Sequence, residues 1–224
     1  MSRRIAIDGP SGAGKSTVGH ALAEAIGATF VDTGLMYRAL TLAALEREID
    51  VEDGPALGHL AERCRIEVER PGPAHPHRRE TVRLEGRDVT DAVRAPRVDR
   101  SVSAVSRHPE VRDAMLAVQR ATAVRGDTVM VGRDIGTVVL PDATLKVFLV
   151  AAPQVRASRR AAEMGSIGRY EEYLGEIQRR DAADTEREVA PLRRADGALV
   201  IDTGEHDVAS SVAIIRHRLG ARRA

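Results

Sequence analysis

"IDGPSGAGKST", residues 7–17, decides how the rest of this chain is read. Residues 9–16 fit the pattern G-x-x-x-x-G-K-[ST]. RRIAID (3–8) before it reads as a short apolar strand. KSTVGHALAEAI (15–26) after it carries apolar residues at helical spacing until Gly27 stops it. Strand, glycine-rich turn and helix, in that order, make a phosphate cradle. The glycines let main-chain N–H groups close around phosphate oxygens. The helix N-terminus adds its positive dipole end. Of 34 Lys+Arg residues only Lys15 and Lys146 are lysine, so a lysine retained inside this loop is informative. Its thin stem carries a compact charge to the β- and γ-phosphates, where arginine's planar fork does not fit. The Ser16 hydroxyl suits Mg²⁺. Lys146, at the start of a later strand, is expected to be a surface residue.

The bulk numbers bound the class. The 224 residues suffice for one large domain or one domain with an insert. Hydrophobic content of 43% and charged content of 30% are those of a globular chain, and 2% aromatics leave Leu, Val, Ile and Ala to build the core. A net charge of +1 gives no broad field, so no nucleic-acid partner is expected. A single Cys64 forms no internal disulfide and has no metal-ligand spacing around it, which fits a reducing compartment. A glycine loop within nine residues of the start leaves no room for a signal peptide, and no apolar run approaches the ~20 residues of a membrane span. A cytoplasmic protein with no membrane partner is expected.

Onward from the loop, ATFVDTG (28–34) reads as a second strand ending in a turn, and YRALTLAALERE (37–48) as an amphipathic helix. Between 64 and 94, RIEVER and TVRLEG look like short alternating strands around the Pro- and His-rich PGPAHPHRR, a small antiparallel insert. HPEVRDAMLAVQRATAV (108–124) is helical, while TVMVGRD (128–134) and LKVFLVA (145–151) read as buried strands. An Arg-rich helical stretch covers 153–188 with a break near MGSIG; ALVIDTG (198–204) is a last strand and 207–219 a last helix. Continuous apolar strands alternating with helices imply a parallel sheet covered on both faces.

Further charged residues sit where a ligand would lie. Asp32-Thr-Gly-Leu-Met-Tyr-Arg38 and Gly132-Arg133-Asp134 each end a strand, the edge at which open parallel sheets bind ligands. Arg38 is read as opening a helix, against the dipole preference. Arg180, Asp184 and Arg187 share a helix face at spacings of four and three, and Arg156, Arg159 and Arg160 form another. A solvated charged stripe explains such faces; so does a lid whose arginines neutralise a phosphoryl group in transit. The absence of asparagine removes the N-K-x-D guanine reader of regulatory GTPases. A nucleotide-binding module without catalysis, or a kinase for another small acceptor, stays open on the residues alone.

The chain resembles the bacterial cytidylate kinases, a branch of the nucleoside monophosphate kinases. The resemblance rests on DGPSGAGKST (8–17), DTGLMYR (32–38), SRHPEVRDAMLAVQR (106–120), GRDIGTVVLPDA (132–143), RRDAADTER (179–187), VAPL (189–192) and ALVIDT (198–203). It implies an α/β fold with a five-stranded parallel P-loop core, a small antiparallel monophosphate-binding insert and a helical lid. The division would be 1–62, 95–152 and 189–224 for the core, 63–94 for the insert and 153–188 for the lid. It implies transfer from ATP to CMP or dCMP, with Mg²⁺ held at Ser16, by a monomer. ATP contacts would be Gly9, Pro10, Ser11, Gly12, Ala13, Gly14, Lys15, Ser16 and Thr17, with the lid arginines Arg156, Arg159 and Arg160, solvated when the lid is open. Contacts to the monophosphate would be Thr33, Arg38, Ser103, Arg112, Arg133, Asp134, Arg180, Asp184 and Arg187. Lys15, Arg133 and Arg187 would be catalytic. Relative to some relatives the lid is shorter between Arg160 and Arg180.

Overall fold

The computed structural model describes residues 2–75, 77–123, 126–186 and 189–221. In chain order the elements are β1 (Arg4–Asp8), α1 (Lys15–Ile26), β2 (Thr29–Asp32), α2 (Thr33–Glu46), α3 (Gly54–Arg63), β3 (Ile66–Glu69), β4 (Thr81–Leu84) and β5 (Arg87–Asp88). Then follow α4 (Pro96–Arg107), α5 (Pro109–Ala123), β6 (Thr128–Gly132), β7 (Leu145–Val150), α6 (Pro153–Glu163), α7 (Tyr170–Glu186), β8 (Leu199–Asp202) and α8 (Val208–Ala221). A five-stranded sheet has the order β2-β6-β1-β7-β8, and a three-stranded sheet the order β3-β4-β5. Two compact units result: Met1–Thr29 with Gly126–Ala224, and Phe30–Arg125.

In the first unit, β1 pairs in parallel with β6 and with β7, and β7 in parallel with β8. Ile5 stands opposite both Val129 and Leu145. β6 is buried throughout, as a strand covered on both faces must be. β7 departs from the expected fully buried strand: Leu145, Val147 and Leu149 are buried while Lys146, Phe148 and Val150 are half-buried. Lys146 is therefore no plain surface residue. A methyl group on Gly136 would lie 3.4 Å from its Cγ, so its stem packs beside the 135–139 turn. The strand expected over 128–134 ends at Gly132, and Ile135–Val139 coils into a π-helical turn. α1 buries Val18, Leu22 and Ala23 and packs against β6 and α8.

In the second unit, α2 starts four residues earlier than the sequence pattern suggests. The Asp32 carboxylate accepts from the Gly34 N–H at 2.9 Å, so Thr33-Gly34 is the first turn of a capped helix. Arg38 thus lies in the second helical turn, and the argument from a dipole mismatch at the helix start does not apply to it. α3 and α4 were not legible from periodicity. Asp53 caps α3 through the Ala56 N–H at 3.0 Å, and Pro96 begins α4. α3 packs on α5, and α2 packs on α4 and on the strands β3 and β4. β3, β4 and β5 pair antiparallel, as the alternation predicts. The unit that contains this sheet extends well beyond residues 63–94.

Candidate active site

The phosphate loop of the first unit is shaped by contacts that exclude side chains. A Cβ on Gly9 would lie 2.2 Å from the Leu149 carbonyl oxygen, a distance no side chain tolerates. Gly12, at φ +76°, leaves 3.1 Å between its own Cβ direction and the Arg156 Cβ. Gly14 begins α1 in the left-handed conformation without a side-chain cap, the kind of terminus that presents N–H groups to an anion. Lys15 is 8% exposed, and its ammonium donates to the Pro10 carbonyl at 2.7 Å. Its charge is thus held inside the loop.

Arg156 anchors the loop from α6. Its Nε donates to the Ala151 carbonyl at 2.9 Å and its Nη1 to the Ser11 carbonyl at 3.1 Å. Both Nη atoms also meet the Asp181 carboxylate of α7, at 3.0 and 2.6 Å. With 3% exposure it is not the solvated lid arginine that the sequence led us to expect. Arg159 donates to the Thr203 hydroxyl at 3.0 Å and to the Thr203 carbonyl. That hydroxyl lies 3.1 Å from the loop carbonyl of Ala13. Arg160 is more open and sits 3.8 Å from Glu163. Asp181 and Thr203 escaped the sequence reading. Asp181 could have been found from its three-residue spacing to Asp184, whereas Thr203 gives no local signal.

The strand end after β6 carries the next pair. Arg133 Nε donates to Asp184 on α7 at 2.7 Å, which joins two predicted site residues. Asp134 is buried, 6% exposed. Asp8, the residue before the loop, carries no sequence signal of a role. It accepts from the N–H groups of Ile135 and Gly136, each at 2.7 Å. Burial pushes its carboxyl up to about 6; those two N–H groups pull down, the Asp134 charge pushes up and Lys15 pulls down. Arg180 is half-buried on α7. Arg187 lies outside the described residues.

In the second unit Thr33 is buried at the start of α2. Arg38 donates to the Val93 carbonyl at 3.2 Å and to the Asp99 carboxylate of α4. Arg112 of α5, 8% exposed, donates to the Ser106 carbonyl at 3.2 Å, and its guanidinium lies 5.7 Å from the centre of the Tyr37 ring. Ser103 is half-buried on α4. Among the described residues, no three His, Cys, Asp or Glu side chains group as metal ligands, and no helix is long and apolar enough to cross a membrane.

The family model described as cytidylate kinase matches residues 5–219. The cytidylate kinase of Exiguobacterium sibiricum is 48% identical over 213 residues, covering 94% of this chain and 93% of that protein. The cytidylate kinase of Pelotomaculum thermopropionicum is 43% identical over 222 residues, 98% of this chain and 96% of that protein. Among solved structures, an uncharacterised protein from Eubacterium ventriosum covers 99% of this chain and 99% of its own at 13% identity, with a TM-score of 0.55, a likeness of fold.

Proposed function

The chain belongs to the cytidylate kinase family, and we propose that it transfers the γ-phosphoryl group of ATP to CMP or dCMP, giving ADP and CDP or dCDP. The observation that carries this reading is the glycine-shaped loop with Lys15 held inside it. An oxygen of the acceptor phosphate bonds to the γ-phosphorus as the bond to the β–γ bridging oxygen breaks, and that electron pair leaves with ADP. The acceptor is already an anion, so no side chain must remove a proton. The protein positions the two phosphates and neutralises their charge. Lys15 turns from the Pro10 carbonyl to the β- and γ-phosphates, and the loop N–H groups hold their oxygens.

Mg²⁺ takes oxygen ligands and keeps several waters beside substrate phosphates, so one protein hydroxyl fits it. Ser16, half-buried in the first turn of α1, has that chemistry, while both Asp8 oxygens are already engaged by main-chain N–H groups. With the Ser16 hydroxyl as its protein ligand, a bound Mg²⁺ would offset negative charge on the transferring phosphates.

The remaining roles follow the family resemblance. In the first unit Arg133 serves the acceptor phosphate, Asp134 accepts from the exocyclic amine of cytosine, and Arg180 and Asp184 of α7 contact the same nucleotide. In the second unit Arg38 takes a phosphate oxygen, Thr33 contacts the nucleotide, and Arg112 with Ser103 donates to the O2/N3 edge of the base. Uracil carries an oxygen where cytosine carries the amine, and a hydrogen at N3. Each buried mismatch costs about 1–3 kcal/mol. Two of them give roughly 30- to 20,000-fold preference for CMP over UMP. Arg156 acts by holding the Ser11 carbonyl, and Arg159 and Arg160 by approaching ATP when the lid closes. The test is ADP release with ATP, Mg²⁺ and each of CMP, dCMP, UMP, AMP and GMP. CMP and dCMP should turn over fastest. Faster turnover of another nucleotide, or release independent of any acceptor, contradicts the reading.

A further inference from the structure

Asp8 has no part in the chemistry just described, yet it is 3% exposed and makes two charge-assisted hydrogen bonds. A carboxylate is expensive to bury unless its oxygens are satisfied, and here each oxygen has its own donor. Those donors, the N–H groups of Ile135 and Gly136, follow Arg133 and Asp134 directly in the chain. Asp8 itself directly precedes the phosphate loop, so its side chain spans from the base of that loop to the turn after β6.

Both ends of this link are closely packed. Gly9, the next residue, is pressed against the Leu149 carbonyl, where a Cβ would stand at 2.2 Å. On the other side, a Cβ on Gly136 would stand 3.3 Å from Asp8 Oδ2, 3.4 Å from the Ala195 Cβ and 3.4 Å from the Lys146 Cγ. Asp134 itself has a backbone of φ −142° and ψ 25°, between strand and turn, and the two N–H groups that bind Asp8 follow it directly in the chain.

We propose that Asp8 is a positioning residue: it fixes the Arg133–Asp134 strand end against the base of the phosphate loop, so that acceptor binding depends on a carboxylate that touches no substrate. This rests on the reading that Asp134 contacts the acceptor base. The competing role for a carboxylate here is to act on Lys15, which is electrostatically coupled to it. The two roles move different constants.

The experiment compares Asp8→Asn with the parent protein. The amide keeps the shape but turns an NH₂ toward one of the two N–H donors, so one bond is lost. KM for CMP should rise about tenfold or more, the equivalent of one charge-assisted hydrogen bond, while KM for ATP stays within about twofold. Gly136→Ala pushes on the same carboxylate from the other side and should raise KM for CMP in the same direction by a smaller factor. It carries the test if Asp8→Asn does not fold. A rise in KM for ATP as large as that for CMP, or an unchanged KM for CMP in the folded variants, overturns the proposal. Asp134→Ala tests the underlying reading separately. If it raises KM for CMP and Asp8→Asn does not, the positioning role alone is wrong. If Asp134→Ala leaves KM for CMP unchanged, the reading of Asp134 falls, and the proposal with it.

Discussion

Around the phosphate loop, charged side chains reach main-chain groups on both sides of it, and Arg156 adds a bidentate pair with the Asp181 carboxylate. Lys15 meets the Pro10 carbonyl, Arg156 the carbonyls of Ser11 and Ala151, and Asp8 the N–H groups of Ile135 and Gly136. In the second unit, Arg38 leans on the Asp99 side chain and Arg112 on the Tyr37 ring, with one carbonyl each from Val93 and Ser106. Main-chain atoms are fixed by the fold, so the first arrangement tolerates little change in shape. Side-chain partners can be replaced singly, so the second should respond in graded steps.

The largest effect is expected where the main chain and the transferred charge meet. Lys15→Ala should lower kcat by about 10²- to 10³-fold, the usual loss for a donor aimed at developing charge, with little change in melting temperature. Steady-state rates and a thermal melt check both; near-normal turnover would break the contrast between the units. Arg38→Ala should come next, lowering kcat/KM for CMP roughly 10- to 100-fold while KM for ATP stays put. Asp99→Asn should then give only a part of that loss, because Arg38 keeps its charge. An Asp99→Asn effect equal to that of Arg38→Ala would show that the arginine works only when held.

Asp181→Asn sharpens the same comparison within the first unit. Arg156 would keep its carbonyls and lose half of a bidentate partner, so kcat should fall about 3- to 10-fold, and the melting temperature with it. The smallest effect concerns pH. The Asp8 carboxyl sits near 6, above its ordinary 3.8, so between those values the folded protein binds the proton that the unfolded chain releases. Acidification from about pH 7.5 to about pH 5 should therefore stabilise the parent relative to Asp8→Asn, by about 1 kcal/mol. Urea titrations at the two pH values measure this; an equal change in both proteins would place the titration elsewhere.

The contrast also explains what could be read from the sequence. A loop built by main-chain atoms demands glycines at fixed spacing, so Gly9 to Ser16 announces itself. The flanking strand and the bounds of α1 follow from apolar spacing with Gly27 as the stop. Asp8 and Thr203 bind main-chain groups far along the chain, and nothing local marks them. Arg38, Ser103 and Arg112 sit at ordinary helical positions, where only the resemblance to a family distinguishes them from solvated residues. The start of α2 is hidden because Asp-Thr-Gly reads as a turn, whereas the Asp32 carboxylate caps a helix there. The burial of Arg156 is not legible, because an arginine-rich helix gives no sign of which guanidinium is buried.

The claim that base choice and phosphate handling fall to neighbouring residues is tested most directly by kcat/KM for CMP over UMP in Asp134→Ala and in Arg133→Ala. Asp134→Ala should lower the ratio by about 5- to 150-fold, the value of one mismatched buried hydrogen bond. Arg133→Ala should weaken both substrates alike and leave the ratio where it stands in the parent. An unchanged ratio in Asp134→Ala, or a lowered one in Arg133→Ala, would contradict the account.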